Sequence, residues 1–319
     1  MQRYFTGLSP QPPLPWFDAV WQSFIQRYEH KHLPHAILLT SGGGIGEVDL
    51  AFAMAQFLLC ASPQARTSCG KCKSCQLLAA DTHPDLVVVT PEEKSDVIKI
   101  EAIREVATFV ANTAQQGGRK LVVIYPAESL NVNAANALLK NLEEPNGDTV
   151  FLLVSQRPAA LMATIRSRCN LWPLTAPNHA AAEAWLERNK VVDPQAKLTK
   201  ANGRPLLVMA WDNNGLFEQA DKALGLVAGF ATGDNDTAKV AKSLAAFDSV
   251  WLLDQWLGWL QKAVCAPEFR QTHGFFVGND QALFRFYDCL TQRKQQLLRG
   301  NNPNTQMLLE ELLLRTKAV

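Results

Sequence analysis

Apolar positions along the chain follow two regimes. In the first, short continuous apolar runs alternate with stretches whose apolar residues recur every three or four positions. The runs at 35–39, 86–90, 120–125 and 150–154, the last finishing at Ser155, are predicted as buried strands. Around them, helical spacing is read over 17–29, over 49–59, along a face made by Ile100, Ile103, Val106, Ala107 and Val110, and over 131–142. Asn131 supplies a polar cap to the last of these, and Pro145 and Gly147 stop it. Pro158 is expected to open a short helix carrying Arg166-Ser167-Arg168-Cys169. Strands alternating with helices imply a mostly parallel sheet covered on both faces.

Beyond Pro173 the β signals fade and the second regime begins. Helical segments are expected at 178–189 and 196–200 and after Gly203-Arg204-Pro205. Asp212-Asn213-Asn214-Gly215 reads as a linker. Past it, helices are predicted over 217–230, 238–264, 280–298 and 305–317. Leu244, Phe247, Trp251 and Leu252 begin an apolar face, which Met307, Leu308, Leu312 and Leu314 continue. Trp251, Trp256 and Trp259 suit core packing, with a partner surface as the alternative.

Length and charge narrow the class. At 319 residues, 47% of them hydrophobic, the chain is long enough for two or three domains with substantial cores. A formal net charge of +1 lacks the strong positive field of a protein that grips nucleic acid by itself. No run of apolar residues reaches membrane-spanning length, and the opening residues are polar and Pro-rich, so a cytoplasmic chain with no membrane partner is expected.

The candidate chemistry starts at Thr40-Ser41-Gly42-Gly43-Gly44-Ile45-Gly46-Glu47-Val48, between the first strand and the helix after it. Strand, glycine-rich turn and helix N-terminus is the setting in which backbone N–H groups cradle phosphates. A working Walker loop also carries a Lys for the phosphates and a Ser/Thr hydroxyl for Mg²⁺. Glu47 and Val48 hold those positions, and Ser41 replaces the first glycine. A carboxylate would face the phosphates and nothing would hold the metal. The third strand continues as Tyr125-Pro126-Ala127-Glu128, without the metal-binding Asp that a P-loop ATPase needs there. Both losses point to a nucleotide-binding scaffold that has lost its own nucleotide chemistry.

Four of the seven cysteines, Cys60, Cys69, Cys72 and Cys75, fall within sixteen residues, and two C-x-x-C steps share Cys72. Such spacing lets four thiolates close a tetrahedral Zn²⁺ shell with no open position, which makes the expected zinc structural. Buried or incidental cysteines and a redox pair are the competing readings. His83 is read as a loop residue or a helix-end partner in preference to a ligand.

Together, the cysteine pattern after a glycine loop, the stretch Asn133-Ala134-Ala135-Asn136-Ala137-Leu138-Leu139-Lys140-Asn141-Leu142-Glu143-Glu144-Pro145, and Ser167-Arg168-Cys169 resemble the bacterial DNA polymerase III clamp-loader family of AAA+ proteins. The lost Walker residues are similar to its non-hydrolysing member, not to its ATP-hydrolysing gamma/tau subunits. The resemblance implies α/β plus all-α architecture. A RecA-like P-loop domain would span 1–173 with an inserted zinc module at about 60–75, a small helical lid 174–214, and a helical collar for oligomerisation 215–319. It further implies membership of the DNA polymerase III holoenzyme assembly, with gamma/tau and delta subunits as partners and with the sliding clamp and primed DNA reached through the complex. ATP is not expected on this chain. Arg168 matches the arginine finger directed into a neighbour's nucleotide site; an always-charged, planar guanidinium suits that task. Gly203-Arg204-Pro205 lies near the position of a nucleotide-sensing arginine, but Arg204 is given no role, and Ser155 is expected to cap local backbone. Two rival readings are an atypical P-loop ATPase and a zinc-containing nucleic-acid-binding protein that uses Arg66, Lys71 and Lys73.

Overall fold

The computed structural model describes residues 14–317 apart from 65, 93–94, 117, 234–235, 266–279, 299–302. Five parallel strands form one sheet in the order β2-β3-β4-β1-β5, with β1 Ala36–Thr40, β2 Leu86–Val89, β3 Lys120–Ile124, β4 Thr149–Ser155 and β5 Asn170–Pro173. Every residue of β1, β3 and β4 is buried, which is why these strands read as unbroken apolar runs instead of alternating ones.

Helices cover both faces. On one, α1 (Asp18–Glu29) and α2 (Glu47–Leu59) share a core with Ile37, Leu39, Leu121, Val123 and Leu152. On the other, α4 (Ile100–Ala111) and α5 (Val132–Glu143) pack on Leu38, Val122, Ile124 and Phe151. Asn131 caps α5 as its side chain accepts the Ala134 N–H. Lys120 is buried, and its ammonium donates to the carbonyls of Phe109, Val110 and Asn112, closing the C-terminal end of α4. Burial lowers the Lys120 pKa, opposed by the nearby Asp85 carboxylate.

Strand β5 was not anticipated, since the pattern pointed to four strands. It pairs with β1, Ile37 opposite Asn170 through Thr40 opposite Pro173. Only Trp172 among its residues is buried, so this edge strand has no apolar run, and an edge tolerates its proline. Pro158 does not open a helix. It lies in a turn, and the short helix α6 spans Ala163–Arg166. The small α3 (Lys73–Ala79) follows the cysteine loop, and α7 (His179–Arg188), α8 (Pro194–Lys200) and α9 (Pro205–Asn213) follow β5. Helix α9 runs through most of the expected linker, leaving only Asn214 and Gly215 outside helix.

The chain divides into two compact units, one ending at Met209 and the other beginning at Ala210. The second unit is all helical where described: α10 Leu216–Thr232, α11 Thr237–Leu244, α12 Ser249–Cys265, α13 Asp280–Leu298 and α14 Thr305–Lys317. The single helix expected over 238–264 is broken. Asp248 takes the Trp251 N–H at 2.7 Å on its side chain and the Leu252 N–H on its carbonyl, starting α12 afresh. Trp256 and Trp259 are core residues, whereas Trp251 is half-buried against Phe247. On α14, Leu308, Leu309, Leu312 and Leu313 point inward, while Met307 and Leu314 are exposed, contrary to the face drawn from the sequence.

Candidate functional site

The glycine loop leaves the C-terminal end of β1, which lies between β4 and β5. The connection out of β1 crosses to the far edge of the sheet, so the loop sits at the topological switch point where open α/β sheets hold ligands. Its backbone needs glycine. Gly43, Gly44 and Gly46 have φ of +83°, +74° and +93°, and a Cβ on Gly46 would stand 2.2 Å from Leu14 Cδ1.

Two of the loop amides that would receive phosphate, those of Gly43 and Ile45, are already engaged from inside the chain. Ser41 Oγ accepts the Gly43 N–H at 3.0 Å. Glu47, only 2% exposed, turns back on the loop, where its Oε2 accepts the Ile45 N–H at 3.2 Å and its Oε1 accepts Gln156 Nε2 at 2.5 Å. A carboxylate of the chain thus takes an amide that a phosphate oxygen would use. The loop carbonyls are tied down as well. Gly44 O accepts the Leu206 and Leu207 N–H groups at the start of α9, Gly42 O accepts Arg204 Nη1 at 3.3 Å, and Ile45 O accepts Trp16 Nε1 at 2.9 Å. Burial, and then the charge of Glu47, raise the Asp49 pKa.

Sequence reasoning located the loop and its lost residues but not these contacts. Arg204, given no role, reaches the loop backbone, and Gln156 was not singled out. Ser155 does not cap backbone with its hydroxyl: Oγ is buried without a partner, and the Ser155 carbonyl instead accepts the Ser41 N–H. Glu128 accepts the Gln156 and Arg157 N–H groups on Oε1, and its Oε2 is buried without a hydrogen bond.

Arg168 stands between α6 and β5, away from these contacts. It forms an ion pair with Glu143 at the end of α5 and donates from Nη1 to the Thr164 carbonyl at 3.1 Å. Ser167 Oγ also donates to Thr164 O, and Cys169 packs into the core, where burial pushes its thiol up to about 12. The Ser-Arg-Cys stretch is therefore pinned on either side of an arginine whose side chain is about one-third exposed.

The four predicted cysteines do come together. Their sulfurs all lie within 4.8 Å of one another, with Cys60 and Cys72 3.9 Å apart. Sulfurs about 2.3 Å from one ion at tetrahedral corners stand about 3.8 Å apart, so the donor set fits such an ion. Backbone N–H groups of Cys69, Cys72 and Cys75 point at the sulfurs of Cys60, Cys69 and Cys72 respectively. The Ser62 hydroxyl, with the Lys71 and Cys72 amides, brings the Cys69 thiol down to about 5. Burial works against the Cys72 thiolate but amide hydrogen bonds outweigh it, whereas burial raises Cys60 and Cys75. His83 is no ligand here. Its Nδ1 accepts the Asp85 N–H at 3.1 Å, which leaves Nε2 to donate to Ser74 Oγ at 3.1 Å and ties α3 to the start of β2.

A family profile described as "DNA polymerase III, delta subunit" matches residues 17–178. The DNA polymerase III subunit delta' of Pseudomonas aeruginosa is 36% identical over 318 residues, covering 94% of this chain and 96% of its own length. The chain belongs to the DNA polymerase III delta' family. The delta' subunit of Escherichia coli K12 is 39% identical over 184 residues, 58% of this chain and 55% of that one. Among solved structures, a DNA polymerase III gamma subunit-related protein of Thermotoga maritima superposes with a TM-score of 0.53 at 18% identity, covering 93% of this chain and 98% of its own. That likeness is one of fold: a parallel α/β sheet with a helical second unit, α/β plus all-α. Among the described residues no helix is long and apolar enough to cross a membrane.

Proposed function

We propose that this chain is the non-hydrolysing subunit of the replicative sliding-clamp loader. It supplies a scaffold, and it gives Arg168 in trans to a neighbouring ATPase subunit while the clamp is loaded on primed DNA. The observation that carries this reading is the contrast between two sites. The glycine loop is filled by Glu47 and held by Trp16 and Arg204, whereas Arg168 keeps its guanidinium at the surface. An arginine finger contributes roughly 10³-fold or more where it acts on phosphoryl transfer. A closed loop of this kind speaks against the chain being an ATPase itself.

In this reading residues 1–173 are the RecA-like domain, 174–214 the lid and 215–319 the collar through which the chain joins gamma/tau and delta subunits. Cys60, Cys69, Cys72 and Cys75 hold a structural Zn²⁺, whose full thiolate shell leaves no position for catalysis. The test is reconstitution of the loader from gamma/tau and delta with and without this chain. Clamp loading on primed DNA is expected to require the chain, while equilibrium titration of the chain alone with ATP and Mg²⁺ gives no binding. Loading that proceeds without it, or ATP turnover by the isolated chain, would overturn the reading.

A further inference from the structure

Glu143 is the last residue of α5, where a carboxylate sits at the negative end of the helix dipole. Arg168, twenty-five positions later, approaches it from the corner between α6 and β5. Both Nε and Nη2, the side edge of the guanidinium, lie against Glu143 Oε1, and Nε donates to it. On the other flank Nη1 donates to the Thr164 carbonyl at 3.1 Å and makes a longer 3.5 Å contact with Ser167 Oγ. Nη2 belongs to both edges, and among the described residues it donates to no group other than Glu143. The side chains of Arg168 and Glu143 are 32% and 50% exposed, and a surface pair of this kind adds little to stability. What it does supply is orientation.

Resting on the arginine-finger reading, we infer that Glu143 is the positioning residue for Arg168. It holds the side edge of the guanidinium so that the second N–H of Nη2 is left for the phosphate oxygens of a nucleotide bound by a neighbouring subunit. A free arginine side chain loses considerable rotamer entropy when it engages. One already gripped by Glu143 and Thr164 meets the neighbour with that ordering done, as positioning catalysis requires.

The test is a double-mutant cycle in the reconstituted loader with Glu143→Ala, Glu143→Gln, Arg168→Ala and the Glu143→Ala/Arg168→Ala pair, each checked for assembly by gel filtration. Glu143→Ala is expected to lower kcat about tenfold and leave the KM for ATP within about twofold. Glu143→Gln, which keeps one acceptor oxygen, falls in between and reads the same effect if the alanine variant does not assemble. On the Arg168→Ala background Glu143→Ala changes nothing further. If Arg168→Ala lowers turnover and both Glu143 variants run like wild type, the positioning role is wrong and the finger reading survives. Equal losses from Glu143→Ala on both backgrounds would mean that Glu143 acts through the fold and not through Arg168. Should Arg168→Ala itself have no effect, the finger reading falls and this inference falls with it.

Discussion

Glu47 is the residue on which the glycine loop turns. In a working P-loop its position carries a cation that draws phosphate in; here a buried carboxylate accepts the Ile45 amide and holds Gln156. Asp49 bears the consequence, since burial and the neighbouring Glu47 charge hold its pKa above the ordinary carboxylate value of 3.8. Because the folded chain binds that proton more tightly than the unfolded one, stability falls as pH rises from about 3.8 through the raised folded value. The cost is fully present above the raised folded value and absent in acid below both values. Asp49→Asn removes the charge, so urea midpoints are expected to rise relative to wild type near neutral pH and to converge with it in acid. A variant less stable than wild type at neutral pH would show that the charge is favoured where it sits, by the N-terminal end of α2. The missing Walker lysine and hydroxyl were legible in Glu47 and Val48. That the carboxylate folds back was not, because the partners of a side chain depend on Gln156, far along the chain, and sequence spacing carries no information on that contact.

Among the elements, α3 depends most on its surroundings. At seven residues it is shorter than the roughly 12–15 that an isolated helix needs, and it is held by buried Leu78, by the His83–Ser74 hydrogen bond and by the cysteines before it. Purified chain is expected to carry about one Zn²⁺, measurable by elemental analysis. Removing the metal with a strong chelator, or Cys69→Ser, then exposes residues 60–79 to hydrogen exchange while the amides of β1, β3 and β4 stay protected. Metal-free chain with unchanged exchange over 60–79 would contradict the zinc module. The strands legible in advance were those with continuous apolar runs: the fully buried β1, β3 and β4, and the half-buried edge strand β2, whose Leu86-Val87-Val88-Val89 is apolar throughout. Strand β5 escaped because its one buried residue, Trp172, gives no period. The break between α11 and α12 escaped because Ala245 and Ala246 are good helix formers, and only the capping geometry of Asp248 shows where the second helix starts. Met307 and Leu314 were placed on the wrong side because α14 is leucine-rich nearly all round, which leaves the direction of the core to tertiary packing.

Across the whole molecule, the α/β unit has a core above and below its sheet and the helical unit has a core of its own. Cys169 anchors the Ser-Arg-Cys stretch and the Arg168 side chain is one-third exposed, while Glu47 is buried and Val48 is half-buried against the core. The account therefore stands on Arg168 acting on a neighbour. The deciding measurement is DNA- and clamp-stimulated ATPase of the loader reconstituted with wild-type chain or Arg168→Ala, with assembly confirmed and each chain alone as a blank. The expected result is an inert isolated chain and a mutant complex that assembles normally but loses at least about tenfold in turnover, up to the roughly 10³-fold a finger can supply. A mutant complex that turns over like wild type would contradict the account and leave this subunit a purely architectural part.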